Sequence, residues 1–146
     1  MGKLEFRCGS GHIRFLPESL DFPNMSSTYR DLKVWQRSID LAENIYCLTA
    51  VFPDAELYGL TSQMRRAAVS IASNIAEGWG RHSRKDYSRY LEIAGGSNDE
   101  LRTQLVIAER LGFGNAKLLA EATTLADEIG RMLGGLHKFL QTPRKK

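Results

Sequence analysis

The sequence predicts an all-α fold, an antiparallel up-and-down four-helix bundle with an irregular N-terminal arm. Three observations predict it. Apolar residues recur at three- and four-residue steps in four separate stretches, a spacing that gathers them on one face of a helix. The stretches run to roughly 22–29 residues with short turns between them, so consecutive helices pack as antiparallel neighbours. Glycine, proline and helix-capping residues fall at the ends of the stretches. No segment shows the strict alternation of a half-buried strand, and there is no internal repeat or low-complexity tract.

The first 28 residues contain Gly9, Gly11, Pro17 and Pro23 and have no helical period. They read as an arm. Met25, followed by Ser26-Ser27-Thr28, allows two readings, with Met25 as the natural start or residues 1–24 as a mobile arm. Residues 29–141 read as the bundle and 142–146 as a basic tail. The first helix is expected from Tyr29, with Thr28 and Asp31 as a capping box and Leu32, Trp35, Ile39, Ala42, Tyr46 and Thr49 as its apolar stripe; Pro53 stops it. The second is expected from Ala55 to Glu77 on Leu60, Met64, Ala67, Ala68, Ile71 and Ile75, with Gly78 and Gly80 as a left-handed stop. The third starts at a second cap, Ser83 with Asp86. It carries Tyr87, Tyr90, Leu91, Ala94, Leu101, Leu105 and Ala108, and ends at Gly112 and Gly114. Gly95 and Gly96 lie inside it, where a bulky neighbour is expected to pack. The fourth spans Ala116 to Leu140 on Leu118, Ala122, Leu125, Ile129, Met132, Leu136 and Phe139.

The chain's 146 residues fit one domain. Hydrophobic residues at 42% and charged residues at 25% are ordinary for a globular protein that keeps out of membranes. No apolar run reaches membrane-span length and none near the start reads as a signal peptide, so the expected location is the cytoplasm. Cys8 and Cys47 make no metal-ligand spacing and are expected as free thiols.

Net charge is only +3, but it is unevenly placed. Between Arg65 and Arg89 six basic residues face two acidic ones, and the chain ends on Arg144-Lys145-Lys146. The rest is mildly acidic.

Searches for catalytic chemistry nominate nothing. A di-iron bundle needs Glu-x-x-His pairs, and no glutamate stands three residues before His12, His82 or His137. Gly78-Trp79-Gly80 lacks the frame and lysine of a phosphate-binding loop. No serine–histidine or cysteine–histidine pair can be nominated. The expectation is no enzyme, no metal and no cofactor.

Two clusters remain. Gln63, Arg66, Ser70, Asn74 and Glu77 share one face of the second helix. They read as a structural polar network reaching Ser97 and Glu100 on the third, or as a ligand or subunit surface. Arg65, Arg66, Arg81, Arg84, Lys85 and Arg89, with Trp79, Tyr87 and Tyr90 interleaved and Arg144, Lys145 and Lys146 in the tail, are the candidate nucleic-acid contacts. Cations there meet phosphates, and aromatic rings can stack on unpaired bases.

The run from Tyr58 to Ile71 (Tyr58-Gly59-Leu60-Thr61-Ser62-Gln63-Met64-Arg65-Arg66 onward) continues to Asn74-Ile75-Ala76-Glu77-Gly78. With Asp31-Leu32-Lys33-Val34-Trp35-Gln36, the Phe52-Pro53 turn and Leu91-Glu92-Ile93-Ala94, it resembles the four-helix-bundle proteins encoded in intervening sequences of bacterial 23S rRNA genes. The resemblance covers about residues 29–140. Ala72 stands where that family often has proline, and Arg102 where it usually has an acid. The resemblance implies an up-and-down bundle, homo-oligomers of ring form, pentamers in particular, and no enzymatic activity. Relatives include accessory proteins of diversity-generating retroelements, which assist a reverse transcriptase and bind nucleic acid. The expected function is a homo-oligomer binding RNA or DNA through basic patches. The rival is a scaffold whose partner is a reverse transcriptase or a ribosomal component.

Overall fold

The computed structural model describes residues 28–143. Four α-helices form the bundle: α1 (Lys33–Thr49), α2 (Leu60–Trp79), α3 (Arg84–Leu111) and α4 (Ala116–Gln141). Each packs on the next and α4 closes against α1, without diagonal helix–helix contact. Partners across the seams show the directions. Ser70 meets Ser97 while Glu77 meets Tyr90, so α2 and α3 are antiparallel. Asn98 meets Ala126 while Ser88 meets His137, so α3 and α4 are too.

The core runs down the bundle axis, from Leu41, Ile45 and Leu48 through Met64, Ile71 and Ile75 to Leu91, Leu101, Leu105 and Ile129. Ala67, Ala68, Ala94, Ala122 and Ala126 are buried among them. Buried Ser38 and Thr49 close their hydroxyls on the carbonyls of Val34 and Ile45, both at 2.7 Å, so neither is left unsatisfied.

The stripes expected on α2 and α3 are largely the ones that pack, whereas on α4 buried Leu119, Ala126 and Leu133 replace expected Leu118, Met132 and Leu136, which are partly buried, and Phe139 is 45% exposed. α1 departs as well. Its buried residues are Val34, Ser38, Leu41, Ile45 and Leu48, with Thr49, one position round from the expected stripe. Trp35, Ile39, Ala42 and Tyr46 are only half-buried and lie along the edge beside α2. The helix also starts later. Tyr29–Asp31 form a 3-10 turn, and Thr28 Oγ1 accepts from the Arg30 amide at 3.4 Å, a cap of that turn rather than of α1. α1 ends at Thr49, before Pro53, which instead opens a second 3-10 turn, Asp54–Glu56. That turn displaces the start of α2 from Ala55 to Leu60.

The glycines divide into two kinds. Gly112 takes φ +70° and closes α3, with the Phe113 amide reaching Ala108 O at 2.9 Å, the expected left-handed cap. Gly80 instead ends α2 at φ −75°, and Gly78 is helical and buried. What Gly78 provides is room: a Cβ there would lie 2.8 Å from both Tyr87 Cδ2 and Tyr90 Cβ. Gly95 and Gly96 face open space, as do Gly134 and Gly135, so the bulky neighbour expected there does not exist among the described residues. Cys47 is disulfide-bonded, which overturns the expectation of free thiols. The chain's other cysteine, Cys8, lies outside the described residues.

Candidate nucleic-acid interface

The sequence-selected cations separate into those tied within the fold and those left outward. The turn from Gly78 to Ser83 brings the end of α2 onto the start of α3. Ser83 Oγ accepts from the Asp86 amide at 3.0 Å, the cap expected there, and donates to the Asp86 carboxylate at 2.7 Å. Arg81 turns back over this corner. It pairs with Glu77, donates to the Tyr90 hydroxyl at 2.6 Å and lies 4.6 Å over the Tyr90 ring. Arg84 crosses to α4, donating to the Phe139 carbonyl at 2.7 Å with its guanidinium 5.4 Å over the Phe139 ring. It thus serves a carbonyl at the C-terminal end of a helix, where cations are favoured. Arg65 Nε donates to Thr49 Oγ1 at 2.9 Å and stacks 4.7 Å over Tyr46, joining α2 to α1. Each of these three has one guanidinium nitrogen committed to a neighbour and its ring-facing side laid over an aromatic.

Arg66, Lys85 and Arg89 are exposed, and their side chains enter no ion pair or hydrogen bond among the described residues. Two further cations, not singled out in the sequence, join them: Arg131 and Lys138 on α4, also exposed and unpaired among the described residues. Lys85 and Arg89 are one turn apart on α3, roughly 6 Å along the axis, and Arg131 and Lys138 two turns apart on α4, roughly 10 Å. The α3/α4 pairing puts Arg89 level with His137 and Lys138. These four therefore form a basic band over the outer face of α3 and α4. Arg66 stands apart on the outer side of α2. The signal for Arg131 and Lys138 was present as an i, i+7 spacing on the exposed side of α4, but no local run of charge marks it. Arg144, Lys145 and Lys146 lie outside the described residues.

One acid enters the band. Glu92 Oε1 lies 3.7 Å from His137 Nε2, while His137 Nδ1 shares a 2.9 Å hydrogen bond with Ser88 Oγ. Gln141 Nε2 also donates to Ser88 Oγ at 2.9 Å. This serine–histidine–glutamate line has the elements of a nucleophilic triad. Yet Ser88 is buried at 4% exposure and its oxygen is already held by two partners, so it holds α3 to α4. Arg102 ties the same two helices further along, 3.3 Å from Asp99 and 2.9 Å from Asp127.

The polar stripe of α2 is only partly a network. Ser70 Oγ meets Ser97 Oγ at 2.9 Å, and Asn74 Nδ2 donates to Ser70 O at 2.8 Å and to its Oγ at 3.0 Å. Glu77 belongs instead to the Arg81 corner. Glu100 accepts from Gln104 on its own helix at 3.1 Å. Gln63 and Arg66 are exposed outside the network, because the α2/α3 seam passes through Ser70 and Ser97 rather than along the whole stripe. The aromatics are likewise turned inward. Trp79 and Tyr87 pack edge to face at 6.2 Å. Burial pushes the Tyr87 phenol up to about 12, and its hydroxyl finds no hydrogen-bond partner.

At the other end of α2 the surface is apolar. Tyr58 is 93% exposed, with Leu57 and Val69 also open. They border a shallow hollow of about 630 Å³ with Tyr46, Arg65 and Arg66. Among the described residues no group of three or more histidines, cysteines or carboxylates could hold a metal ion. No described helix is long and apolar enough to cross a membrane.

Fold and surface together define an all-α bundle protein with an external basic face. Within that class the chain belongs to the 23S rRNA-intervening sequence protein family, whose match spans residues 30–135. Among solved structures it is similar to a protein of unknown function from the S23 ribosomal protein family of Bacteroides thetaiotaomicron VPI-5482. The TM-score is 0.64 at 22% identity, covering 75% of this chain and 99% of that one. That likeness bears on the fold alone. No curated protein matches.

Proposed function

We propose that the chain is a non-catalytic, homo-oligomeric, cytoplasmic bundle protein that binds RNA or DNA through the basic face of α3 and α4. The observation that carries this reading is the set Lys85, Arg89, Arg131 and Lys138, four exposed cations without partners among the described residues, on two adjacent helices. Cations of that kind release counterions from phosphates on binding, which supplies affinity without base recognition. Repetition of the face around the axis of an oligomer strengthens it by avidity. The committed geometry of Ser88 supports the non-catalytic part.

The experiment is nucleic-acid binding by the purified chain, with its mass followed by light scattering. Replacing the four cations with glutamate is expected to abolish binding and leave the oligomer intact. Undiminished binding would refute the assignment of this face. A second reading, a scaffold for a reverse transcriptase or a ribosomal component, draws support from exposed Tyr58, Leu57 and Val69, since open aromatic and aliphatic side chains favour protein contacts. It predicts no salt-sensitive affinity for nucleic acid.

A further inference from the structure

Single-strand binders combine cations with exposed aromatic rings on which bases stack. The α3/α4 face has the cations, and the exposed ring beside them, Phe139 at 45%, is covered by the Arg84 guanidinium. Trp79 and Tyr87 are engaged with each other, Tyr90 lies under Arg81, and the Phe139 ring carries Arg84. The most exposed aromatic described, Tyr58, lies just before α2. The antiparallel register sets it near the far end of α3, away from Lys85 and Arg89.

What the face presents is two parallel rows of charge. Lys85 and Arg89 form one on α3, and Arg131 and Lys138 the other on α4. Packed helices hold such rows roughly 8–10 Å apart at their axes. Gly96 on α3 and Gly134 and Gly135 on α4 carry no side chain, and a Cβ at each would meet nothing within 4 Å, so these positions raise nothing beside the cations. A duplex offers the complement, two phosphate rows flanking a groove roughly 6 Å or 12 Å wide in B-DNA. Long lysine and arginine side chains span the difference. Glu92 is the acid that enters the band, and His137 stands against it at 3.7 Å.

We propose that this face takes double-stranded nucleic acid by its phosphates, one row of cations to each strand, in preference to single strands. The proposal rests on the nucleic-acid reading above and adds the form of the ligand. RNA and DNA duplexes share this chemistry.

The test uses fluorescence anisotropy on the full chain at one salt concentration. The probes are an RNA duplex and a DNA duplex of two turns (about 20 bp), a uridine single strand of equal length, and an abasic strand. At least one duplex is expected to bind about ten-fold tighter than the uridine strand. The abasic strand should match the uridine strand, because no base is stacked. Comparing the duplexes tells which sugar is preferred. Arg131→Gln with Lys138→Gln, and separately Lys85→Gln with Arg89→Gln, should each weaken the duplex complex. A uridine strand binding as tightly as both duplexes, or clearly better than the abasic strand, overturns the proposal and leaves nucleic-acid binding standing. Duplex binding indifferent to either pair of substitutions overturns the two-row geometry. Failure of every probe to bind refutes the nucleic-acid reading itself.

Discussion

The corner between α2 and α3 and the outer face of α3 and α4 both carry cations and use them in opposite ways. At the corner, Arg81 is spent on Glu77 and Tyr90, and nearby Arg84 on the end of α4. On the outer face, Lys85, Arg89, Arg131 and Lys138 meet no partner among the described residues. Density of positive charge along the chain therefore says little about charge available to a ligand. What decides is whether a carboxylate, carbonyl or ring lies within reach once the helices have packed.

The glycines repeat the contrast and give the largest expected effect on stability. Gly78→Ala places a methyl 2.8 Å from Tyr87 and Tyr90, and the Tyr90 Cβ cannot swing away. It should destabilise by about 1–3 kcal/mol, read as a lowered denaturation midpoint. Gly96→Ala enters open space in mid-helix and should stabilise by about 0.5–1 kcal/mol. Equal effects of the two substitutions would break the distinction between a corner packed tightly and an open outer face.

Tyr87 sharpens the same point through pH. Its folded-state value of about 12 lies above the ordinary 10.0 because burial disfavours the phenolate. The associated stability is fully present below pH 10 and is lost as pH rises from there through about 12. Alkaline denaturation monitored by circular dichroism should show this loss, and Tyr87→Phe should remove it. Because the hydroxyl is unpartnered, Tyr87→Phe is expected to be neutral or stabilising at pH 7. A clear destabilisation at neutral pH would contradict the burial described.

The smallest expected effect belongs to Arg81. Its pair with Glu77 is substantially exposed, at 41% and 54% of the side chains, so Arg81→Gln should lower stability by less than about 1 kcal/mol. Nucleic-acid affinity should stay unchanged, whereas Lys138→Gln should do the reverse.

Much of the fold was legible. On α2 and α3 the core-facing residues dominate the apolar pattern, so the period alone identifies them; on α4 buried Leu119, Ala126 and Leu133 lie beside the stripe that the period selects. On α1 two adjacent stripes are apolar. Packing selected Val34, Ser38, Leu41, Ile45 and Leu48, and buried Ser38 disguised that choice. The Ser83 cap and the Gly112 stop were readable because each depends on residues within a few positions. Of the proposed binding face only Lys85 and Arg89 were. Arg84 and the Phe139 carbonyl are 55 residues apart, and a pairing at that range leaves no local trace. Arg131 and Lys138 were missed because helix packing, not sequence neighbourhood, brings them beside Lys85 and Arg89.

The most direct measurement is the salt dependence of nucleic-acid affinity in two triple variants of the full chain. One carries Lys85→Gln, Arg131→Gln and Lys138→Gln. The other carries Arg65→Gln, Arg81→Gln and Arg84→Gln. Every cation–phosphate pairing removed should lower the log–log slope by about 0.9 on a DNA duplex. The account predicts a slope reduced by about 2–3 in the first variant and unchanged in the second. An unchanged slope in the first, or a reduction confined to the second, would contradict it.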